Sequence, residues 1–180
     1  MKEHIQNFSC NQIWMLEHDA VFTLGTAADE SHIINAGQIP VIQTDRGGEV
    51  TYHGPGQLVI YFLIDIKEIK LGPKALVQKL QELISSILGH YDIESSFIEG
   101  APGVYVDNKK IASIGLRISQ GKTYHGISIN VAVPADQHSD IFGHMPSSHT
   151  VLSLLPSTCA FTALKFLSKV ALTRIQSGFF

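Results

Sequence analysis

The chain has 180 residues, of which 44% are hydrophobic and 16% charged, with a net charge of -3 and a pI near 6.3. That length suits one domain burying roughly 70% of the surface its unfolded form exposes, and the composition suits a compact α/β or similar globular protein rather than a disordered or coiled-coil one. The net charge supplies no basic field of the kind that holds nucleic acid through its phosphates, so no nucleic-acid partner is expected.

The N-terminus, MKEHIQNFSCNQ, has no apolar signal core, and the longest apolar run, residues 58–64, is too short to cross a bilayer. A cytoplasmic protein with no membrane attachment is expected. Cys10 and Cys159 lie far apart without CxxC spacing, which argues against a zinc site or a disulfide framework and for a reducing compartment. Short β-prone runs at 13–16, 20–24, 40–43 and 58–64 alternate with turn residues and predict sheet. From Pro73 the spacing changes: Leu76, Leu80, Leu83, Ile84, Ile87 and Leu88 recur with helical period until Gly89. Proline suits the first turn of this helix, and its apolar stripe should pack on one sheet face.

Residues 103–107 and 110–118 predict a hairpin joined at Asp107, Asn108 and Lys109. A further strand is expected over 123–131, where Ile127, Ile129 and Val131 alternate with Ser128 and Asn130. Residues 134–156 are rich in Ser, His and Pro and read as loop. His138, His144 and His149 crowd that stretch, but their spacing matches no ligand geometry, so no metal is expected. Ser157 or Thr158 would cap a last helix carrying Phe161, Leu164, Leu167 and Ala171. With no repeat or linker, residues 1–180 form a single domain, and periodicity by itself supports only the mixed α/β class.

One stretch stands apart. In RGGEVTYHGPGQ, residues 46–57, four glycines surround Arg46, Glu49, His53 and Pro55 between two β-prone runs. Glycines permit positive φ and let a ligand approach the backbone, whose N–H groups can then bind a carboxylate, phosphate or acyl carbonyl; Arg46 would add a charged clamp. The run is neither GxGxxG nor GxxxxGK[ST], so the dinucleotide and P-loop readings fail. A tight inter-strand connection is the plain alternative, and the density of polar groups weighs against it.

The whole run resembles the signature of the octanoyltransferase branch of the lipoate/biotin protein-ligase family. Two further stretches extend the resemblance: APGVYVDNKKIASIGLRI, residues 101–118, and YHGISINV, residues 124–131. The resemblance implies a mixed, mostly antiparallel sheet with helices packed on it. It also implies a two-step transfer, without cofactor or metal, in which a cysteine takes octanoate from octanoyl acyl carrier protein and a lysine of a lipoyl-domain protein receives it. The expected acceptors are 2-oxoacid dehydrogenase subunits and the glycine-cleavage carrier protein.

By the same resemblance the acyl pocket is lined by Arg46, Gly47, Gly48, Glu49, Val50, Thr51, Tyr52 and His53 from the first motif. Ser113, Ile114 and Gly115 come from the second, and Gly126, Ile127 and Ser128 from the third. The active-site lysine maps to Lys110. Composition alone gives Lys110 no special status, but in an apolar pocket desolvation would lower its pKa and suit it to proton transfer. Ile127 would be core in any such sheet, whereas the strand-interior glycines Gly115 and Gly126 point to close approach of a ligand or another backbone.

The pattern breaks after residue 131. The family's nucleophile sits in a Pro-Cys-Gly turn, and the ungapped continuation places Gly143, His144 and Met145 there. Either His144 is itself the nucleophile, or Cys159 or a direct Lys110-assisted transfer replaces the thiol, or the chain keeps the pocket and has lost most turnover. Chemistry favours the last. A frame change in the coding sequence would also produce the departure from about residue 134 onward. At the other end, the resemblance implies that an initial segment family members usually carry is missing from this chain. Two other functions remain open: a non-catalytic acyl- or lipoyl-domain-binding homologue, and an ATP-dependent lipoate ligase, whose glycine loop is related.

Overall fold

A computed structural model describes residues 10–133 of the chain. The expected helix at 157–171, the loop at 134–156, His144 and Cys159 lie outside the described residues. Nine strands and one α-helix follow in the order β1 (Gln12–Leu16), β2 (Val21–Leu24), β3 (Val41–Gln43), β4 (Val50–His53), β5 (Gln57–Leu63), α1 (Pro73–Gly89), β6 (Ser96–Ile98), β7 (Ala101–Val106), β8 (Lys109–Ser119) and β9 (Lys122–Asn130). The larger sheet is antiparallel throughout, in the order β1-β5-β9-β8-β7-β6. The smaller has the order β3-β2-β4, with β2 parallel to β3 and antiparallel to β4. The mixed, mostly antiparallel α/β expectation therefore matches the fold.

The helix begins with proline, whose missing N–H costs nothing in the first turn. Its stripe Leu76, Leu80, Leu83, Ile84, Ile87 and Leu88 is buried against the larger sheet. The sheet answers with Leu58, Ile60, Phe62 and Ile64 from β5 and beyond it, Ala112 and Ile114 from β8, and Ile127 and Ile129 from β9. Because strand side chains alternate, the intervening residues point to the other face. There Val59 lies level with Ser128 and Ser113, and Tyr61 with Gly126 and Gly115. Small residues on two adjacent strands, β8 and β9, leave a trough beside Val59 and Tyr61 on the side away from the helix.

The smaller sheet has its own apolar cluster of Phe22, Leu24, Val50, Tyr52 and Val133. One correction to the sequence reading arises here: residues 46–57 are not a continuous connection, because Val50–His53 forms β4 within them. The alternation of Val50 and Tyr52 with Thr51 and His53 gives that strand one buried and one half-buried face. β6 also had no counterpart in the sequence reading; its three residues are all exposed.

Candidate functional site

The two sheets and the start of α1 enclose a cavity of about 940 Å³. Arg46, Gly47, Gly48, Glu49, Val50, Thr51, Tyr52 and His53 line it, with Lys110, Ser113, Ile114 and Gly115 from β8 and Gly126, Ile127 and Ser128 from β9. All the described residues expected at the site thus border one space. Ile114 and Ile127 also belong to the core beneath α1, and Val50 and Tyr52 to that of the smaller sheet.

Arg46, expected as a charged clamp, is itself held by the protein. Its guanidinium is buried and donates inward, from Nε to Thr23 Oγ1 at 3.1 Å and from Nη2 to the Thr23 and Glu49 carbonyls, both at 2.7 Å. Nη1 reaches the Gly47 carbonyl at 3.1 Å. Burial lowers its pKa to about 10, against the opposing pull of Glu49, so it remains a cation at neutral pH. What it clamps is the loop itself, drawing residues 46–49 onto β2.

Three more contacts fix the loop to the larger sheet. The Gly47 N–H donates to the Leu116 carbonyl at 3.3 Å. Asp45 accepts from the Tyr124 hydroxyl at 2.6 Å and pairs with His125 Nε2 at 3.0 Å. The strand glycines answer to this packing. A Cβ on Gly115 would stand 3.0 Å from the Gly47 carbonyl oxygen and 3.2 Å from Arg46 Cδ, and one on Gly126 only 1.9 Å from the Ile60 carbonyl oxygen. Both glycines accommodate neighbouring protein atoms.

Lys110 is partly buried, with its Nζ 5.4 Å from the centre of the Tyr105 ring. A Cβ on Gly103 would stand 3.2 Å from Lys110 Cε, so the glycine leaves room for the lysine stem. Burial lowers the pKa of Lys110, and no carboxylate among the described residues pairs with it. Lys109 beside it is exposed.

A second polar group stands on β4 and β5. Gln57 Nε2 donates to the Tyr52 carbonyl at 3.2 Å and to Asn130 Oδ1 at 2.8 Å. A main-chain carbonyl can only accept, so the amide orientation is fixed and Gln57 Oε1 faces His53 Nδ1 at 2.7 Å. Nδ1 therefore carries the proton and Nε2 a lone pair. Burial lowers the His53 pKa to about 4. Nearby, His18 Nε2 meets the Tyr61 hydroxyl at 2.6 Å; burial moves the His18 pKa down and that of Tyr61 up. Among the described residues no three His, Cys, Asp or Glu converge as metal ligands, and the cysteine among them, Cys10, is exposed.

A model of the lipoyl protein ligase A/B catalytic domain matches residues 1–160. The chain belongs to this family. Among its relatives, an octanoyltransferase of Legionella pneumophila (strain Corby) is 55% identical over 123 residues, 68% of this chain and 62% of that protein. An octanoyltransferase of Vibrio cholerae is 53% identical over 121 residues, 67% of this chain and 56% of that one. The matched part thus spans less than two thirds of these relatives. A T. acidophilum protein solved with bound lipoic acid superposes with a TM-score of 0.75 at 11% identity, over 98% of this chain and 76% of that one. Lipoate-protein ligase A bound with ATP gives 0.69 at 13% identity, over 91% and 73%. At such identities the likeness speaks for the shared fold.

Several residues of the site escaped the sequence reading. Gln57 closed the first quoted motif and Asn130 stood next to the end of the third, while Asp45, which holds the loop without lining the cavity, stood directly before the first. His125 sat inside YHGISINV, where its φ of 59° marks an irregular strand position. Thr23, His18 and Tyr61 had no local signal, since their partners lie 23 and 43 positions away.

Proposed function

We propose that the chain is the catalytic-domain portion of an octanoyltransferase, moving an octanoyl group from the thioester of acyl carrier protein to a lysine amine of a lipoyl-domain protein. One observation carries this reading: a cavity floored by small residues is bordered by a desolvated lysine, Lys110, with no carboxylate partner among the described residues. A trough floored by Ser113, Ser128, Gly115 and Gly126 suits a slender alkyl chain. A lysine of lowered pKa suits proton exchange with a departing thiol and an arriving amine. The names of the relatives support the same chemistry.

Acyl transfer through a covalent intermediate needs a nucleophile. The thiol among the described residues, that of Cys10, does not border the cavity, and His144 and Cys159 lie outside those residues. The sequence Gly143-His144-Met145, standing where the resemblance expects Pro-Cys-Gly, favours a second reading, a homologue that binds the acyl group or the lipoyl domain without turnover. Mixing the pure chain with octanoyl acyl carrier protein and a lipoyl domain, followed by intact-mass measurement, separates the two. Octanoylation of the lipoyl domain over many turnovers supports the transferase; octanoate binding without transfer supports the binding protein. Pyrophosphate release from ATP and lipoate would instead indicate a ligase.

A further inference from the structure

We infer that His53 is a fixed hydrogen-bond acceptor for a substrate N–H group, that of the amine that attacks the acyl carbon and of the amide it becomes. The inference rests on reading the cavity as an acyl site, and its physical basis is the network behind the ring. The Tyr52 carbonyl orients the Gln57 amide, Gln57 Oε1 takes the Nδ1 proton, and Asn130 Oδ1 holds the other side of the same amide. Gln57 and Asn130 are both buried and sit opposite each other in the β5–β9 ladder. The amide cannot turn over without opposing Gln57 Oε1 to the Tyr52 carbonyl oxygen, so the tautomer is locked.

His53 borders the cavity, and its remaining nitrogen offers only a lone pair. Such a group cannot donate to an acyl carbonyl or stabilise an oxyanion, which excludes the common role of histidine as a donor in acyl transfer. It also cannot act as a strong base, because burial and the nearby Arg46, His18 and His125 oppose its protonation. An acceptor that stays neutral instead selects a donor. Of the groups that meet at the acyl carbon during transfer to lysine, the nitrogen brings an N–H and the thioester sulfur does not. His53 therefore acts as a positioning residue, holding the attacking nitrogen and the amide it becomes through that N–H.

Two measurements test this. In the free protein, long-range proton–nitrogen correlation of the His53 ring near pH 7 should show a protonated Nδ1 and an unprotonated Nε2. A protonated Nε2, or an imidazolium, overturns the inference. Secondly, N-propyloctanamide and propyl octanoate differ only in an N–H replaced by oxygen. The amide should bind the wild type roughly three- to tenfold more tightly, the range of one neutral hydrogen bond, and should shift the Nε2 resonance. His53→Phe should remove the preference and His53→Gln, which offers an oxygen near the same place, should keep part of it. Equal binding of the two compounds to the wild type, or a preference that survives in His53→Phe, overturns the inference. Octanoic acid titrated in parallel separates the failures: octanoate bound without amide preference sinks the role of His53 alone, and no binding of any of the three sinks the acyl site as well.

Discussion

At the level of single residues, burial lowers the pKa of two groups bordering the cavity, Lys110 and His53. Burial lowers the Lys110 pKa below 10.5. Between that lowered value and the ordinary one the unfolded chain binds more protons than the folded chain, so stability rises with pH through the window and is diminished below it. Lys110→Met should therefore resist urea better than the wild type near pH 7, with the difference closing as pH rises through the lysine range. The same change should cut octanoyl transfer about 10²- to 10⁴-fold. His53 has the same sign lower on the scale. Its pKa falls from 6.5 to about 4, so stability declines as pH drops through that interval, by at most about 3 kcal/mol. Urea midpoints of wild type and His53→Phe across this interval measure the contribution. Gly126→Ala gives a steric counterpart. Its Cβ would lie 1.9 Å from the Ile60 carbonyl oxygen, so β5 and β9 must separate locally, costing about 3 kcal/mol. Lys110 was singled out in the sequence only through a motif, because its burial comes from strands and a glycine elsewhere in the chain.

At the level of elements, local chemistry and structure agree closely. Asp107 and Asn108 have φ of 50° and 60°, and they join β7 to β8 as a two-residue loop of the kind that follows strand twist. Asn tolerates this conformation and glycine adopts it freely, so Asn108→Gly should be neutral or stabilising by up to about 1 kcal/mol. A β-branched residue is strained there, and Asn108→Val should destabilise by about 1–2 kcal/mol. Thermal unfolding of the two variants decides the order. Helix α1 was legible from residue 73 to residue 89 because seventeen residues give a periodic stripe several repeats in which to show itself. Strand β6, with three exposed residues, had no alternation to display. Strand β4 was hidden for another reason: glycines on both sides carry the signal of a loop, and the four residues between them form a strand only because β2 is there to pair with.

Across the whole molecule, the cavity exists because the smaller sheet is held over the larger one, and Arg46 is central to that docking. Its bonds to Thr23 and to the Gly47 and Glu49 carbonyls shape the loop, while Asp45 and Gly47 tie the loop to β9 and β8. Thr23→Val removes an acceptor shared by Nε and Nη2 and should cost about 1.5–3 kcal/mol. Hydrogen exchange should then rise in β2–β4 ahead of the strands beneath α1, and octanoate affinity should fall. Uniform loss of protection across both sheets would count against this arrangement. The sequence by itself determined the class of fold, helix α1, the β7–β8 hairpin and the three motifs, since period, turn chemistry and residue type are properties of contiguous residues. Only the tertiary structure decided that Arg46 faces the protein, that Gly115 and Gly126 admit neighbouring backbone and side chain, and that His53 is locked as an acceptor. Each of those depends on partners brought together by sheet register, and register is set by the packing of the whole chain.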